Sequence, residues 1–252
     1  MMRILIWGEG PTDVGQRDYQ TDQFLEGPIP IMIRKVLDGP VEMQLLDKSD
    51  RKKLKGKHFQ RSIKGLRGQG VYSWWAKMQA AERLFDAVVF YSDSDREGGS
   101  DARNEVACRK RFEEVKSNIE EGFHRAQHPE VLDLAVVPVK MIESWLMADP
   151  EAFSATFGSV RGGRGKQTKN IFPKTPELEW GDKHNALSNY PKCQLNRILS
   201  CYGEAANQDT FVRLADAADL EVLQKKCPIS FKVFYQELTD LKSVWQAKKG
   251  NP

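Results

Sequence analysis

Apolar residues along this chain follow two rhythms: short continuous runs that suit buried strands, and longer stretches spaced by three or four that suit amphipathic helices. Arg3 to Trp7 is a short apolar run stopped by a glycine turn, as expected of a buried parallel strand. A helix is expected from about Pro28 to Leu37, opened by proline and closed by Asp38-Gly39-Pro40, and Val41 to Leu46 reads as a second strand. Helical spacing resumes from Tyr72 to Phe85, before a third strand from Ala87 to Tyr91. The next element is a long amphipathic helix with Ala102, Val106, Phe112, Val115, Ile119 and Phe123 on its apolar side and Ser100 or Asp101 as its cap. Leu132 to Val139 is the last strand of the series, and Pro138 sets it at a sheet edge or at its own end.

From about Pro150 the pattern changes. Gly158 to Gly165 is rich in glycine and arginine, and the stretch to Tyr190 lacks strong periodicity. Helical spacing returns at Gln194 to Ser200, Thr210 to Asp216 and Leu220 to Lys225. A final helix is expected from Ser230 to Lys248, with Phe231, Phe234, Leu238, Leu241 and Trp245 on one face. The chain therefore reads as α/β: a strand-and-helix series over residues 1–150, with a parallel sheet flanked by helices, and a loop-rich link with a mainly helical addition over residues 151–252.

Composition adds limits rather than a function. With 252 residues, 40% of them apolar, the chain can fill a core. No apolar run approaches the roughly 20 residues that span a bilayer, and the amino terminus has no secretory pattern, so a cytoplasmic protein without membrane partners is expected. Cys108, Cys193, Cys201 and Cys227 show no CxxC spacing, which points to reduced thiols rather than to zinc or disulfides. The net charge is only +3, but Lys48, Arg51, Lys52, Lys53, Lys55, Lys57, Arg61, Lys64 and Arg67 crowd one segment against a single acid, Asp50. Such a segment, read as an exposed loop or arm, attracts phosphates; it is otherwise a solvated charged loop.

Acids gather where strands end. Glu9 and Asp13 lie in GEGPTD, Asp93 and Asp95 in YSDSDREGG, and Glu143 and Asp149 in MIESWLMAD. Carboxylates at the carboxyl ends of parallel strands repel one another unless a cation lies between them, and Mg²⁺ or Mn²⁺ takes such oxygen ligands. Asp93 and Asp95 leave the strand as alternate residues and can aim at one ion. Asp13 reaches the same point only if the turn after Glu9 curls back, and it otherwise caps or turns the chain. Glu143 lies in an apolar run where an unpaired carboxylate is costly, so a metal or a cation such as Lys140 is expected beside it. Asp149 before Pro150 suits either a ligand or a helix cap. Glu97 adds acidity, whereas His58, His124, His128 and His184 fall in polar segments without ligand spacing. Trp74 and Trp75 suit either base stacking or the core.

GEGPTD after one strand and DSD after a later one resemble the two signature motifs of the TOPRIM fold of topoisomerases, primases and metal-dependent nucleases. The resemblance covers about Met1 to Asp149. It implies that Glu9, Asp93 and Asp95 organise divalent metal. Asp13 and Glu143 are similar to the additional acids of the overcoming-lysogenization-defect nucleases, which use two metals. IESWLMAD and CPISF resemble a stand-alone TOPRIM-like family of uncharacterised function. The resemblance implies a nuclease acting on DNA or RNA, with a role in defence against foreign DNA as an association. Because no GxxxxGK[ST] loop is present, ATP control would require a separate ATPase subunit.

On this reading Glu9, Asp93, Asp95, Glu143 and Lys140 carry catalysis, and Glu9, Asp13, Asp93, Asp95, Glu143 and Asp149 hold metal. Arg51, Lys52, Lys53, Lys55, Lys57, Arg61, Lys64 and Arg67 grip the nucleic-acid backbone. The alternatives are a TOPRIM scaffold that binds nucleic acid without cutting it, and a phosphotransferase or phosphatase of small substrates.

Overall fold

The structure is a computed structural model and describes residues 1–18, 20–21, 23–46, 63–95, 104–160 and 171–250. Four strands form a parallel sheet in the spatial order β4-β1-β5-β6, where β1 is Met2–Gly8, β4 Val41–Leu45, β5 Ala87–Tyr91 and β6 Leu132–Val136. Register is continuous across it: Ile4 lies opposite Met43 on one side and Ala87 on the other, and Val89 lies opposite Leu134. The α/β class and the parallel sheet flanked by helices are as the apolar pattern predicts.

The period of two in each strand supplies both faces of the sheet with apolar side chains. Ile4, Ile6, Val89, Tyr91 and Val136 face one layer, built from α2 (Pro28–Leu37) and the carboxyl-terminal helices. The latter are α6 (Pro150–Phe157), α7 (Pro191–Tyr202), α8 (Gln208–Ala217), α9 (Leu220–Lys226) and α10 (Phe231–Gly250), which share that core through Phe153, Leu195, Phe211, Leu223 and Phe231. Leu5, Trp7, Val88, Phe90 and Val137 face the other layer, α3 (Gln69–Glu82) and α4 (Glu105–Arg125).

Chain path makes the crevice. From β1 the chain crosses by α2 on one face to β4, then by α3 on the opposite face to β5 on the far side of β1. The connections thus diverge between β1 and β5, and such a switch point opens a crevice at the carboxyl ends of the strands.

Several expectations are corrected. Asn104, not Ser100 or Asp101, caps α4, its Oδ1 accepting from the Ala107 amide at 2.9 Å. Val106 is exposed and lies off the buried stripe. The short hairpin of β2 (Gly15–Arg17) and β3 (Phe24–Glu26), the helix α1 (Pro11–Val14) and the helix α5 (Ile142–Leu146) were not expected from the pattern. β6 is an edge strand ending at Val136, but bonding to the segment that follows β5 continues past it: Ser92 N donates to Val136 O at 3.0 Å, Ser94 N to Pro138 O at 3.3 Å and Asp95 N to Lys140 O at 3.0 Å. Trp75 belongs to the core, packed edge-on to Trp7 at 5.1 Å, and Trp74 packs at its margin. Among the described residues no helix is long and apolar enough to cross a membrane, and the four cysteines are free thiols.

Candidate functional site

The loop after β1 is shaped by close approach. A Cβ at Gly8 would lie 2.5 Å from the Tyr91 carbonyl oxygen, so only glycine lets β1 end this tightly against β5. Gly10 holds φ +72, and a Cβ there would lie 2.5 Å from Asp13 Oδ2. Pro11 opens the four-residue α1, and the Asp13 and Val14 amides donate to the Gly10 carbonyl. The turn therefore curls back and returns the Asp13 carboxylate over Gly10. Glu9 stays exposed, with its amide bonded to Tyr91 O at 3.2 Å. Gln69, the first residue of α3, donates its side-chain amide to the Glu9 carboxylate.

The loop after β5 is held from two sides. Tyr91, fully buried, donates its hydroxyl to Asp93 Oδ1 at 2.5 Å and also bonds Asp13. Tyr190, at the start of α7, donates to Asp95 Oδ2 at 2.7 Å. Between the two acids, Ser94 accepts from Arg111 Nε at its carbonyl (3.1 Å) and from the Lys140 amide at its hydroxyl (2.7 Å). A cleft of about 510 Å³ runs over this ground, lined by Glu9, Gln69, Asp93, Asp95 and Arg111 on the walls and Trp7 beneath.

Electrostatics join the acids. Burial, then the charge of Asp13, and further Glu143 and Glu9, raise the Asp93 carboxyl well above its usual value, against the pull of the Tyr91 hydroxyl. Burial and then Glu143 raise Asp13 to about 7, opposed by Tyr91 and by the Lys192 ammonium. Glu143, 8% exposed in the first turn of α5, is raised mainly by burial and also by Asp95, and is held down by its own backbone amide and by Lys192. Glu9, Asp13, Asp93, Asp95 and Glu143 thus share one electrostatic neighbourhood.

The other sequence-derived residues go elsewhere. Asp149 caps α6, its Oδ1 accepting from the Glu151 amide at 3.0 Å, and its Oδ2 accepts at 2.9 Å from the amide of Asp219, the residue that caps α9. The Lys140 ammonium donates to the Glu179 carbonyl, and Lys192 of α7 is a cation whose charge acts on Glu143. Lys140 instead brackets the DSD loop with its backbone, in a left-handed conformation of φ 64. Arg51, Lys52, Lys53, Lys55, Lys57 and Arg61, like Glu97, lie outside the described residues. Lys64 and Arg67 are exposed and lead directly into Gln69 at the cleft.

IESWLMAD and CPISF meet at one atom. Ser230 Oγ accepts from the Val139 amide at 3.1 Å and from Trp145 Nε1 at 2.8 Å, and donates to Glu177. Glu177, almost fully buried, also accepts from the Ile229 and Ser230 amides at 2.8 Å each, serving as the anionic cap of α10. This knot fixes Trp145 and hence Glu143, two residues before it.

Sequence reasoning missed Gln69, Tyr91, Tyr190 and Lys192. For Tyr91 a signal existed, because it precedes Asp93 by two and so leaves the strand on the same side. The other three carry none.

Among the described residues no three His, Cys, Asp or Glu side chains form a group poised to hold one ion. The donor chemistry nevertheless fits a hard divalent cation: all five groups offer carboxylate oxygen, and the raised Asp13, Asp93 and Glu143 mark negative charge in want of a partner. No protein-family model, curated protein or solved structure matches this chain.

Proposed function

We propose that this protein is a divalent-metal-dependent nuclease that hydrolyses phosphodiester bonds in DNA or RNA, with Mg²⁺ or Mn²⁺ as its cofactor. One observation carries the reading: acids that follow three strand ends feel one another's charge, with Glu9, Asp93 and Asp95 lining the switch-point crevice, and burial together with mutual repulsion raises the affinity of Asp13, Asp93 and Glu143 for positive charge. A bound divalent ion of this kind supplies Lewis acidity and a water acidic enough to attack a phosphodiester near neutral pH. Glu9, Asp13, Asp93 and Glu143 would hold it, Asp95 beside them. Tyr91 and Tyr190 orient the Asp93 and Asp95 carboxylates by donating to one oxygen of each. Lys192 offsets part of the acidic charge. The basic segment from Lys48 to Arg67 grips the phosphate backbone largely without regard to sequence.

On this reading the chain is a cytoplasmic TOPRIM-like enzyme, and any control by ATP comes from a separate subunit. The absence of a preassembled ligand group among the described residues favours the second reading, a nucleic-acid-binding scaffold without catalysis. Asp93→Asn separates them. The wild-type chain with Mn²⁺ is expected to cut single- or double-stranded substrates and the variant to lose cleavage by orders of magnitude while still binding them. Binding by both proteins without metal-dependent cutting by either would reject the nuclease.

A further inference from the structure

A second cleft, of about 550 Å³, lies between residues 171–174 and α7. Its volume is in the range of small-ligand sites, about 300–1,000 Å³. Three features limit what fits it. Gln194, 7% exposed, donates Nε2 to the Ile171 carbonyl at 3.1 Å, which fixes the amide, since turning it over would set oxygen against oxygen. Its Oε1 is left buried without a donor. Glu179, raised by burial and held down by Lys140 and by a hydrogen bond from Asn189, adds a second acceptor.

Positive charge lies close by. Arg197 is anchored in the wall by the Ala186 carbonyl at 2.8 Å and by the Ser188 carbonyl, and Lys174 is exposed at the rim. Ile171 and Phe172 provide apolar wall, Phe172 braced edge-on by Phe153 at 5.0 Å. A fitting ligand combines N–H donors, a flat body and negative charge.

We propose that this cleft is a subsite for one nucleotide, which it reads through the exocyclic amine of the base at Gln194 and Glu179 while Lys174 and Arg197 face the phosphate. The proposal rests on the nucleic-acid reading above and deepens it. Residues of the two clefts are linked: Asn189 of the second adjoins Tyr190, whose hydroxyl holds Asp95 of the first, and Lys140, which brackets the DSD loop, donates to the Glu179 carbonyl. The same chemistry belongs to a free nucleotide and to the terminal nucleotide of a strand.

Calorimetric titration of the full chain in EDTA tests it with two pairs: GMP against IMP, which differ in the exocyclic amine alone, and CMP against UMP, in which a carbonyl replaces the amine and N3 turns from acceptor to donor. Short single-stranded oligonucleotides ending in the same bases form the second arm. The amine-bearing partner of one pair is expected to bind roughly tenfold tighter, the value of about one well-made hydrogen bond to a buried or charged acceptor. Gln194→Met and Glu179→Ala should each reduce that difference. A preference among mononucleotides assigns the cleft to a free nucleotide, and one confined to oligonucleotides assigns it to a strand end. Equal binding within both pairs in both arms overturns the subsite, as do folded variants that discriminate like wild type. If either variant fails to fold, the wild-type pairs decide alone. Without metal no cleavage occurs, so failure here is separate from failure of the Asp93→Asn assay.

Discussion

Asp13→Asn should make the metal-free protein more stable at alkaline pH. In the folded chain the Asp13 carboxyl titrates at about 7, against 3.8 unfolded, because burial and Glu143 disfavour its charge. A group raised in this way contributes stability fully below its unfolded pKa and loses it as pH rises through the folded one. Each pH unit between the two values removes about 1.4 kcal/mol, so passing from pH 5 to pH 8 costs the wild type roughly 3 kcal/mol from this group alone. Asn keeps the shape and a hydrogen-bonding partner for Tyr91 but never ionises. Urea denaturation in EDTA should therefore show the two proteins close together near pH 4 and the variant ahead by up to roughly 4 kcal/mol at pH 8. Saturating Mg²⁺ or Mn²⁺ should reverse the order at pH 8, because an ion that binds only the folded chain stabilises it by mass action, and more so with Asp13 present. A wild type no less stable at pH 8 than at pH 5, or a variant that gains nothing in EDTA, would refute the assignment of Asp13 to a strained acidic cluster.

Three further outcomes follow from the same contacts. Ser230→Ala strips the acceptor from the Val139 amide and Trp145 and the donor from Glu177, and should cost about 3 kcal/mol, seen in calorimetry as a fall in Tm of roughly 6–12 °C. Asp149→Ala removes the cap of α6 and the bond to the Asp219 amide and should lower stability by about 2 kcal/mol in urea melts while leaving metal-dependent cleavage at the wild-type rate; lost cleavage in a folded variant would return Asp149 to the metal ligands. Replacing Lys52, Lys53, Lys55 and Lys57 by glutamine should weaken binding to nucleic acids of every sequence and flatten its dependence on salt, and an unchanged slope in filter-binding assays would make the segment a solvated loop.

Much of the site was legible where short-range rules apply. Glu9 and Asp93 follow apolar runs whose lengths and glycine stops mark strand ends, and the alternation of the pleat sets Tyr91 and Asp93 to one side. Asp13 was conditional, because whether GEGPTD doubles back depends on the backbone at Gly10. The uses of Lys140 and Asp149 were undecidable locally: both are near Glu143 in sequence, yet one side chain turns to the Glu179 carbonyl and the other to the ends of two helices.

The sequence by itself determined the four parallel strands, the helices that cover them and the presence of acids at three strand ends. These depend on periodicities of two and about 3.6 residues, which neighbours a few positions apart enforce. Only the tertiary structure decided which distant groups complete the site: Gln69 on Glu9, Tyr190 on Asp95, the charge of Lys192 on Asp13 and Glu143, and the Ser230 knot that fixes Trp145. Those partners arrive with helices that dock by burying apolar surface, a force without direction. Polar contacts between remote segments are therefore settled by how the layers pack, and no local pattern of residues encodes them.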